Sequence, residues 1–465
     1  MDHFNQQNRT SDLVFNIPLI RLRRENATKT LLHNPGGPGY GALSTIYMGG
    51  DELSTMVGGD FHILSFDPRG VNSSLPAARC FPAHANGQLN PSTPGLRDPN
   101  LYASTTNFVN ACRDTMGEHG KYINSPQTAA DMNSILDAIG QQDMIFWGIS
   151  YGSLLGQTYA ALFPNRSSRI VIDSVAHLFE WYESPVLTAD FSYTQEVFEG
   201  FIDECIKAGE RCALSSRAES KEELKDKLAG FLNRLGPEPM SVYINSTRNG
   251  IISSDIMWYS IYSDLYSPSA WPEMATALAQ LMNGNGTDSL MRWADDDGVC
   301  SKIGPATAAN YIITINDGLS GSRYWPQGLD SLVDELSPYE RFNPWFNGAV
   351  TQYYVRQQWK IARTHSFRPR RGVQTAYPML ILQNRYDPIC PRIGAQVASE
   401  TFVNSRLVEV DGYGHGATYA LPSTCAVGHL RAYLRNGTLP QNGTLCRPDK
   451  PYFLPPDEPG VLSGD

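Results

Sequence analysis

Reactive chemistry is first suggested by Gly148-Ile149-Ser150-Tyr151-Gly152, a serine held between two glycines at G-x-S-x-G spacing. Such a serine can occupy a sharp strand-to-helix turn, its hydroxyl raised above a sheet edge while the glycines let neighbouring backbone close in. A serine hydroxyl is a weak nucleophile near neutral pH and needs an oriented base. That base needs an acid to fix its tautomer and steady its positive charge. For this kind of turn the expected chain order is nucleophile, acid, histidine. Asp387, in Asn384-Arg385-Tyr386-Asp387-Pro388, and His415, in Gly414-His415-Gly416, follow Ser150 in that order. Asp173, which also ends a predicted strand, and Asp411 stay open as alternative acids. Of nine histidines only His415 and His429 lie beyond Asp387, and His429 falls in a predicted terminal helix. The developing oxyanion would need two convergent backbone N–H donors. Tyr151, next to the serine, is one; Gly37, in the loop Asn34-Pro35-Gly36-Gly37-Pro38-Gly39, is the other. Singly, each feature has an ordinary explanation: a serine in a βα loop, a solvated histidine, a Gly/Pro turn. In this order and together they describe acyl transfer through a serine ester.

These residues need a rigid frame, and the pattern of apolar runs supplies one. Thr30-Leu31-Leu32-His33 and Phe61-His62-Ile63-Leu64-Ser65-Phe66 read as strands, the second stopped by the turn Asp67-Pro68-Arg69-Gly70. Met132, Ile135, Leu136 and Ile139 have helical spacing, with Thr128 and Asp131 placed as a capping-box-like start and Gly140 as the stop. Met144-Ile145-Phe146-Trp147 reads as a buried central strand leading into Ser150, followed by a helix from Leu154 to Phe163 and the strand Arg169-Ile170-Val171-Ile172. Strand, turn, helix, strand is a right-handed βαβ unit. Residues 177–364 change character: helical patterns dominate, among them Lys221 to Leu235, Met257 to Tyr266 and Tyr353 to Ile361, with no strand ladder evident. Sheet signals return at Pro378 to Gln383 and Arg406 to Val410, each run preceding the loop that holds Asp387 or His415. The expected fold is α/β, a mostly parallel sheet flanked by helices. Residues 1–176 and 365–465 form its core, and 177–364 form a helical cap insertion.

Composition narrows the partners. The 465 residues carry 37 Lys+Arg against 47 Asp+Glu, a formal charge of −10, which argues against nucleic acid or an anionic membrane surface. No apolar run approaches the roughly 20 residues of a membrane span. No His/Cys/Asp cluster has metal-ligand spacing, so no metal is expected. The eight cysteines include no C-x-x-C pair, while Cys205/Cys212 and Cys425/Cys446 could each close a small loop. Reduced buried thiols are the alternative to disulfides. Asn8, Asn26, Asn72, Asn165, Asn245, Asn285, Asn436 and Asn442 each begin a glycosylation sequon. Residues 1–30 contain no charged-then-apolar leader, yet cysteines and sequons together point to a secreted or secretory-pathway protein.

With these motifs in hand, the chain resembles the α/β-hydrolase serine peptidases related to prolyl and tripeptidyl aminopeptidases, particularly their secreted branch. The residues that carry the resemblance are Asn34 to Gly39, Asp67-Pro68-Arg69-Gly70, Trp147 to Ser153, Asp387-Pro388, Gly414-His415-Gly416 and the tail from Cys425 to Cys446. It spans nearly the whole chain and is thinnest through 177–364. It implies hydrolysis of peptides from the N-terminus without a metal or organic cofactor, with Ser150 as nucleophile, Asp387 as acid, His415 as base and Gly37 with Tyr151 as oxyanion donors. It also implies carboxylates that hold the substrate's free ammonium, for which Asp317, Glu180 and Glu183 are the candidates. Two departures stand out: Ile315 occupies a place where relatives tend to carry a cysteine, and Asn72 one where glycine is common. A carboxylesterase could use the same triad without the carboxylates. A catalytically silent binding protein on the same fold is the third possibility, opposed by the intact Ser150, Asp387, His415 and glycine loop.

Overall fold

A computed structural model describes residues 2–4, 13–81, 95–293, 308–342, 345 and 349–454. Its strands are β1 (Leu19–Leu22), β2 (Lys29–Asn34), β3 (Phe61–Phe66), β4 (Met144–Ile149), β5 (Ser167–Asp173), β6 (Met240–Asn245), β7 (Arg248–Ile252), β8 (Leu380–Tyr386), β9 (Arg406–Tyr413) and β10 (Thr444–Cys446). Eight of them form one sheet in the order β1-β3-β2-β4-β5-β8-β9-β10. Only β1 runs antiparallel to its neighbour.

β4 is apolar or glycine at every position because both faces of the sheet are covered there, and alternation decides which core each side chain joins. On β4, Met144 and Phe146 enter one core while Ile145, Trp147 and Ile149 enter the other. On β5, Ile170 and Ile172 join the first and Val171 the second. A third core lies between β5 and β8 in sequence, built on Val197, Phe201, Leu224, Leu228, Met257 and Trp271. Phe453, from the far end of the chain, is buried within this third core.

Two local expectations are corrected. The helix expected to start at Thr128 begins a turn earlier, at Ser125–Ala138. There Asn124 accepts a hydrogen bond from the Gln127 N–H, with Pro126 in the first turn, a stronger start than the capping box read from Thr128 and Asp131. Asp131 instead takes a two-pronged ion pair from the buried Arg69 of the Asp67-Pro68-Arg69-Gly70 turn. The insertion also contains strands: β6 and β7 pair antiparallel as a hairpin, whose alternation of exposed and buried positions is short and broken by a register shift. Among the described residues no helix is long and apolar enough to cross a membrane.

Candidate active site

β4 ends at Ile149 and the helix Tyr151–Leu162 begins two residues later, leaving Ser150 alone at the turn. Its backbone stands at φ 59 and ψ −125, a region non-glycine residues occupy at a cost of about 1–3 kcal/mol. Surrounding backbone holds it there: Ser150 N–H donates to Asp173 O at 3.0 Å, and Ser150 O accepts from Ser153 N–H at 2.8 Å. The flanking glycines are required by contact. A Cβ on Gly148 would lie 2.2 Å from Gly152 O, and one on Gly152 would lie 2.3 Å from Asn34 O. Gly36 backs the serine directly, since a Cβ there would meet Ser150 Cβ at 2.8 Å.

The strand ends supply the partners. His415 follows β9, and its Nδ1 lies 2.9 and 3.0 Å from the two oxygens of Asp387, which follows β8. Asp387 is fully buried and also accepts from the Ile389 and Cys390 N–H groups at 3.0 and 2.9 Å. Burial alone would lower the His415 pKa. The charge and hydrogen bond of Asp387, with Asp173 behind, outweigh burial and leave it raised. Both side-chain hydrogen bonds of His415 run from Nδ1 to Asp387, and among the described residues Nε2 makes no hydrogen bond to Ser150 Oγ.

The other two acids have different tasks. Asp173 binds the Ala417 N–H at 2.8 Å and the Thr418 hydroxyl at 2.7 Å, shaping the loop beyond His415. Burial raises its pKa to about 6. Asp411 pairs with Arg385 at 3.1 Å. The backbone N–H groups of Gly37 and Tyr151 have no protein acceptor among the described residues. Asn34 Oδ1 shapes the first of these loops by accepting the Gly36 N–H at 3.0 Å.

The three carboxylates suggested for an ammonium occupy distinct places. Asp317 is wholly buried and saturated, accepting from Ser125 N–H at 2.8 Å, Ser125 Oγ at 2.5 Å and Trp181 Nε1 at 2.8 Å. Through Ser125 it braces the Tyr151 hydroxyl, 2.7 Å away, beneath the serine turn. Glu180 accepts from the Thr188 hydroxyl at 2.6 Å and the Ala189 N–H at 2.8 Å. Glu183 is exposed.

The turn that Glu180 holds leads into Asp190, a residue no motif marks. Asp190 lines a cavity of about 170 Å³ with Phe191, Tyr259, Tyr311 and Tyr353. Ile389, two residues past Asp387, and Asn310, whose amide donates to Pro38 O at 2.9 Å, also line it, so the cavity adjoins both the acid and the glycine loop. The Asp190 carboxylate has no hydrogen-bond or ion-pair partner among the described residues. Burial, then Glu180 and Asp387, push its pKa up to about 8 against the opposing charge of Arg356. The next residue, Phe191, stands at φ 65, where a bulky side chain is strained. Cys390, whose N–H also binds Asp387, is a free buried cysteine that no motif marks, its thiol ionisation pushed well up by burial.

Disulfides join Cys205–Cys212 and Cys425–Cys446, the two short loops expected, and also Cys80–Cys112. Cys300 lies outside the described residues. Of the sequon asparagines, Asn8 lies outside them and the other seven are exposed, although the Asn72 amide is engaged by Asp67 at 2.9 Å.

Comparison with known proteins places this geometry in context. The family model described as alpha/beta hydrolase fold matches residues 29–306, and that of the TAP-like protein family matches 344–446. Serine protease Hip1 of Mycobacterium tuberculosis is 25% identical over 435 residues, covering 90% of this chain and 80% of its own. The tripeptidyl aminopeptidase of Streptomyces lividans is 24% identical over 450 residues, 91% of this chain and 78% of its own. A carboxylesterase B of Mycobacterium tuberculosis is 23% identical over 436 residues, 90% and 80% of the two chains.

Proposed function

We propose that this chain, which belongs to the alpha/beta hydrolase fold family, is a serine exopeptidase that grips the free ammonium of a peptide at Asp190. Ser150 Oγ attacks the scissile carbonyl as His415 Nε2 takes its proton, and Asp387 steadies the resulting imidazolium. The Gly37 and Tyr151 N–H groups receive the oxyanion. Collapse of the tetrahedral intermediate expels the amine, which leaves with the proton from His415. Water then hydrolyses the acyl-Ser150 ester by the same proton path, releasing the short N-terminal fragment. The insertion acts as the cap that closes one end of the cleft and so selects chain ends.

The observation that carries the peptide assignment is the partnerless Asp190 carboxylate inside an aromatic cavity beside Asp387. Asp190 is half-buried, a carboxylate shielded from water without a partner is costly, and an ammonium held among the tyrosine rings that line the cavity satisfies it. The relatives named serine protease and tripeptidyl aminopeptidase support the same conclusion. One observation favours an esterase: with a pKa near 8, Asp190 is largely neutral at pH 7 in the empty cavity, which suits an uncharged acyl group. Three fluorogenic substrates separate the two, namely a free-amine tripeptide amide, its N-acetyl form and a short acyl ester. Preference for the free amine, lost in Asp190→Asn, supports the exopeptidase. Cleavage of the ester alone assigns an esterase, and activity retained in Ser150→Ala removes Ser150 from the mechanism.

Three disulfides and seven exposed sequon asparagines support maturation in an oxidising secretory compartment, with glycans on some of those asparagines.

A further inference from the structure

We infer that Tyr266, from the helical insertion, is a positioning residue that sets the His415 imidazole against Ser150. This rests on the serine-hydrolase mechanism proposed above.

Tyr266 caps the C-terminus of the helix Ser254–Leu265, and its main-chain oxygen accepts the His415 N–H at 2.8 Å. Its ring meets the imidazole edge-to-face, centroids 5.2 Å apart at 66°. The ring is itself fixed, because its hydroxyl lies 2.9 Å from the Tyr262 hydroxyl and the two rings pack at 5.3 Å. Two residues on, Pro268 occupies the space where a Cβ on Gly414 would stand, at 2.4 Å, so the insertion also seats on the backbone just before the histidine.

The core holds the same loop from its other side. Ser174 Oγ takes the Gly416 N–H at 2.7 Å, Asp173 takes the Ala417 N–H at 2.8 Å, and Asn384 donates to Gly414 O at 2.8 Å. The His415 amide, by contrast, is held by the insertion. Its ring therefore rests on two supports of different origin: Asp387 from the core, bound to Nδ1, and the Tyr266 ring against one edge. A proton acceptor displaced by about 1 Å can lose 10²-fold in rate. Docking of the insertion is thus coupled to the chemical step as well as to substrate entry.

The test uses the whole protein and an uncharged fluorophosphonate, which reports attack by Ser150 without drawing on the ammonium site. Tyr266→Ala is expected to slow labelling about 10- to 100-fold and to lower kcat on an acyl ester by a similar factor, with KM within about threefold. It also opens the imidazole to water. Because burial holds the His415 pKa down, the acid limb of kcat moves to higher pH. Tyr266→Phe keeps the ring and is expected to retain rate and pH profile within about threefold, while Asp114→Asn, at an exposed position on the helix Pro99–Gly120, serves as the unaltered control. If Tyr266→Ala does not fold, Tyr266→Leu preserves bulk without the aromatic edge and is read in the same way. A Tyr266→Ala or Tyr266→Leu enzyme with wild-type labelling rate and an unmoved acid limb overturns the inference while the wild type still labels. If the wild type itself does not label at Ser150, the serine-hydrolase mechanism fails and this inference fails with it.

Discussion

The strand ends and the helical insertion position their groups by unlike means. Ser150, Asp387 and His415 each follow a parallel strand, and backbone contacts dictate their conformations. The Ser150 turn is locked by Asp173 O and Ser153 N–H, and the Asp387 carboxylate by two amides of its own loop. Asp190 and Tyr266 come from segments whose positions depend on the packing of a separate core, where Phe201, Met257 and Trp271 meet. On the function proposed here the sheet would fix the chemistry, and substrate choice and fine alignment would fall to a part that can vary without disturbing it. At about 25% identity this agrees with relatives that include both a tripeptidyl aminopeptidase and a carboxylesterase.

The sharpest way to break that division is at the strand ends. Ser150→Ala should cost about 10⁴-fold or more in turnover on peptide and ester alike, leaving only what binding and the oxyanion donors supply. A loss confined to one substrate class would show that the sheet does not carry the chemistry for the other. Gly36→Ala comes next. Its Cβ would press on Ser150 and on Ile149 O at 2.8 Å in a φ of +113, displacing the loop that presents the Gly37 N–H. A drop in kcat of about 10²–10³-fold is expected, the magnitude of one lost oxyanion donor. Wild-type kcat would remove that loop from the mechanism.

On the insertion side the effects should be smaller and selective. Asp190→Asn is expected to lower kcat/KM for the free-amine peptide about 10- to 100-fold, the value of one charged hydrogen bond, and to spare the ester. Equal losses on both substrates would make Asp190 structural.

The pH dependence separates the regions again, with signs set by direction of shift. His415 must be neutral to act as base, and its pKa is raised, so ester hydrolysis should rise with pH through a midpoint above the ordinary histidine value. The peptide should show a further rise near pH 8 as Asp190 ionises, absent in Asp190→Asn. A single rise shared by both substrates would deny Asp190 its role. Smallest of all, Glu183→Gln should leave every parameter within about twofold, because its side chain is exposed and outside the cleft.

Legibility in the sequence followed the same boundary. The strand Phe61–Phe66 and the run through Ile149 are legible because burial on both faces leaves a mostly apolar signature, interrupted in the first only by His62 and Ser65. The helix at Ser125–Ala138 was misplaced by a turn since its start depends on Asn124 and Pro126, which precede the apolar periodicity. The hairpin β6–β7 escaped notice because most of its residues face solvent and the alternation is interrupted. Asp190 is not legible at all: one aspartate in an unpatterned turn carries no local mark of the cavity it lines or of its lack of a partner.

Spacing along the chain is enough for the fold class, the serine turn and the order Ser150, Asp387, His415, and it leaves open whether the cysteines of the two short loops are joined. Tertiary structure alone decided among Asp387, Asp173 and Asp411. All three lie near strand ends, and only the folded sheet brings Asp387 to within 2.9 Å of the imidazole while turning Asp173 toward Ala417 and Asp411 toward Arg385. It also turned Asp317 from a plausible substrate ligand into a brace under Tyr151, and brought Tyr266 onto a histidine 149 positions further along the sequence. Whether a carboxylate is paired, and what a ring rests upon, are properties of neighbours distant in the chain, and no local pattern encodes them.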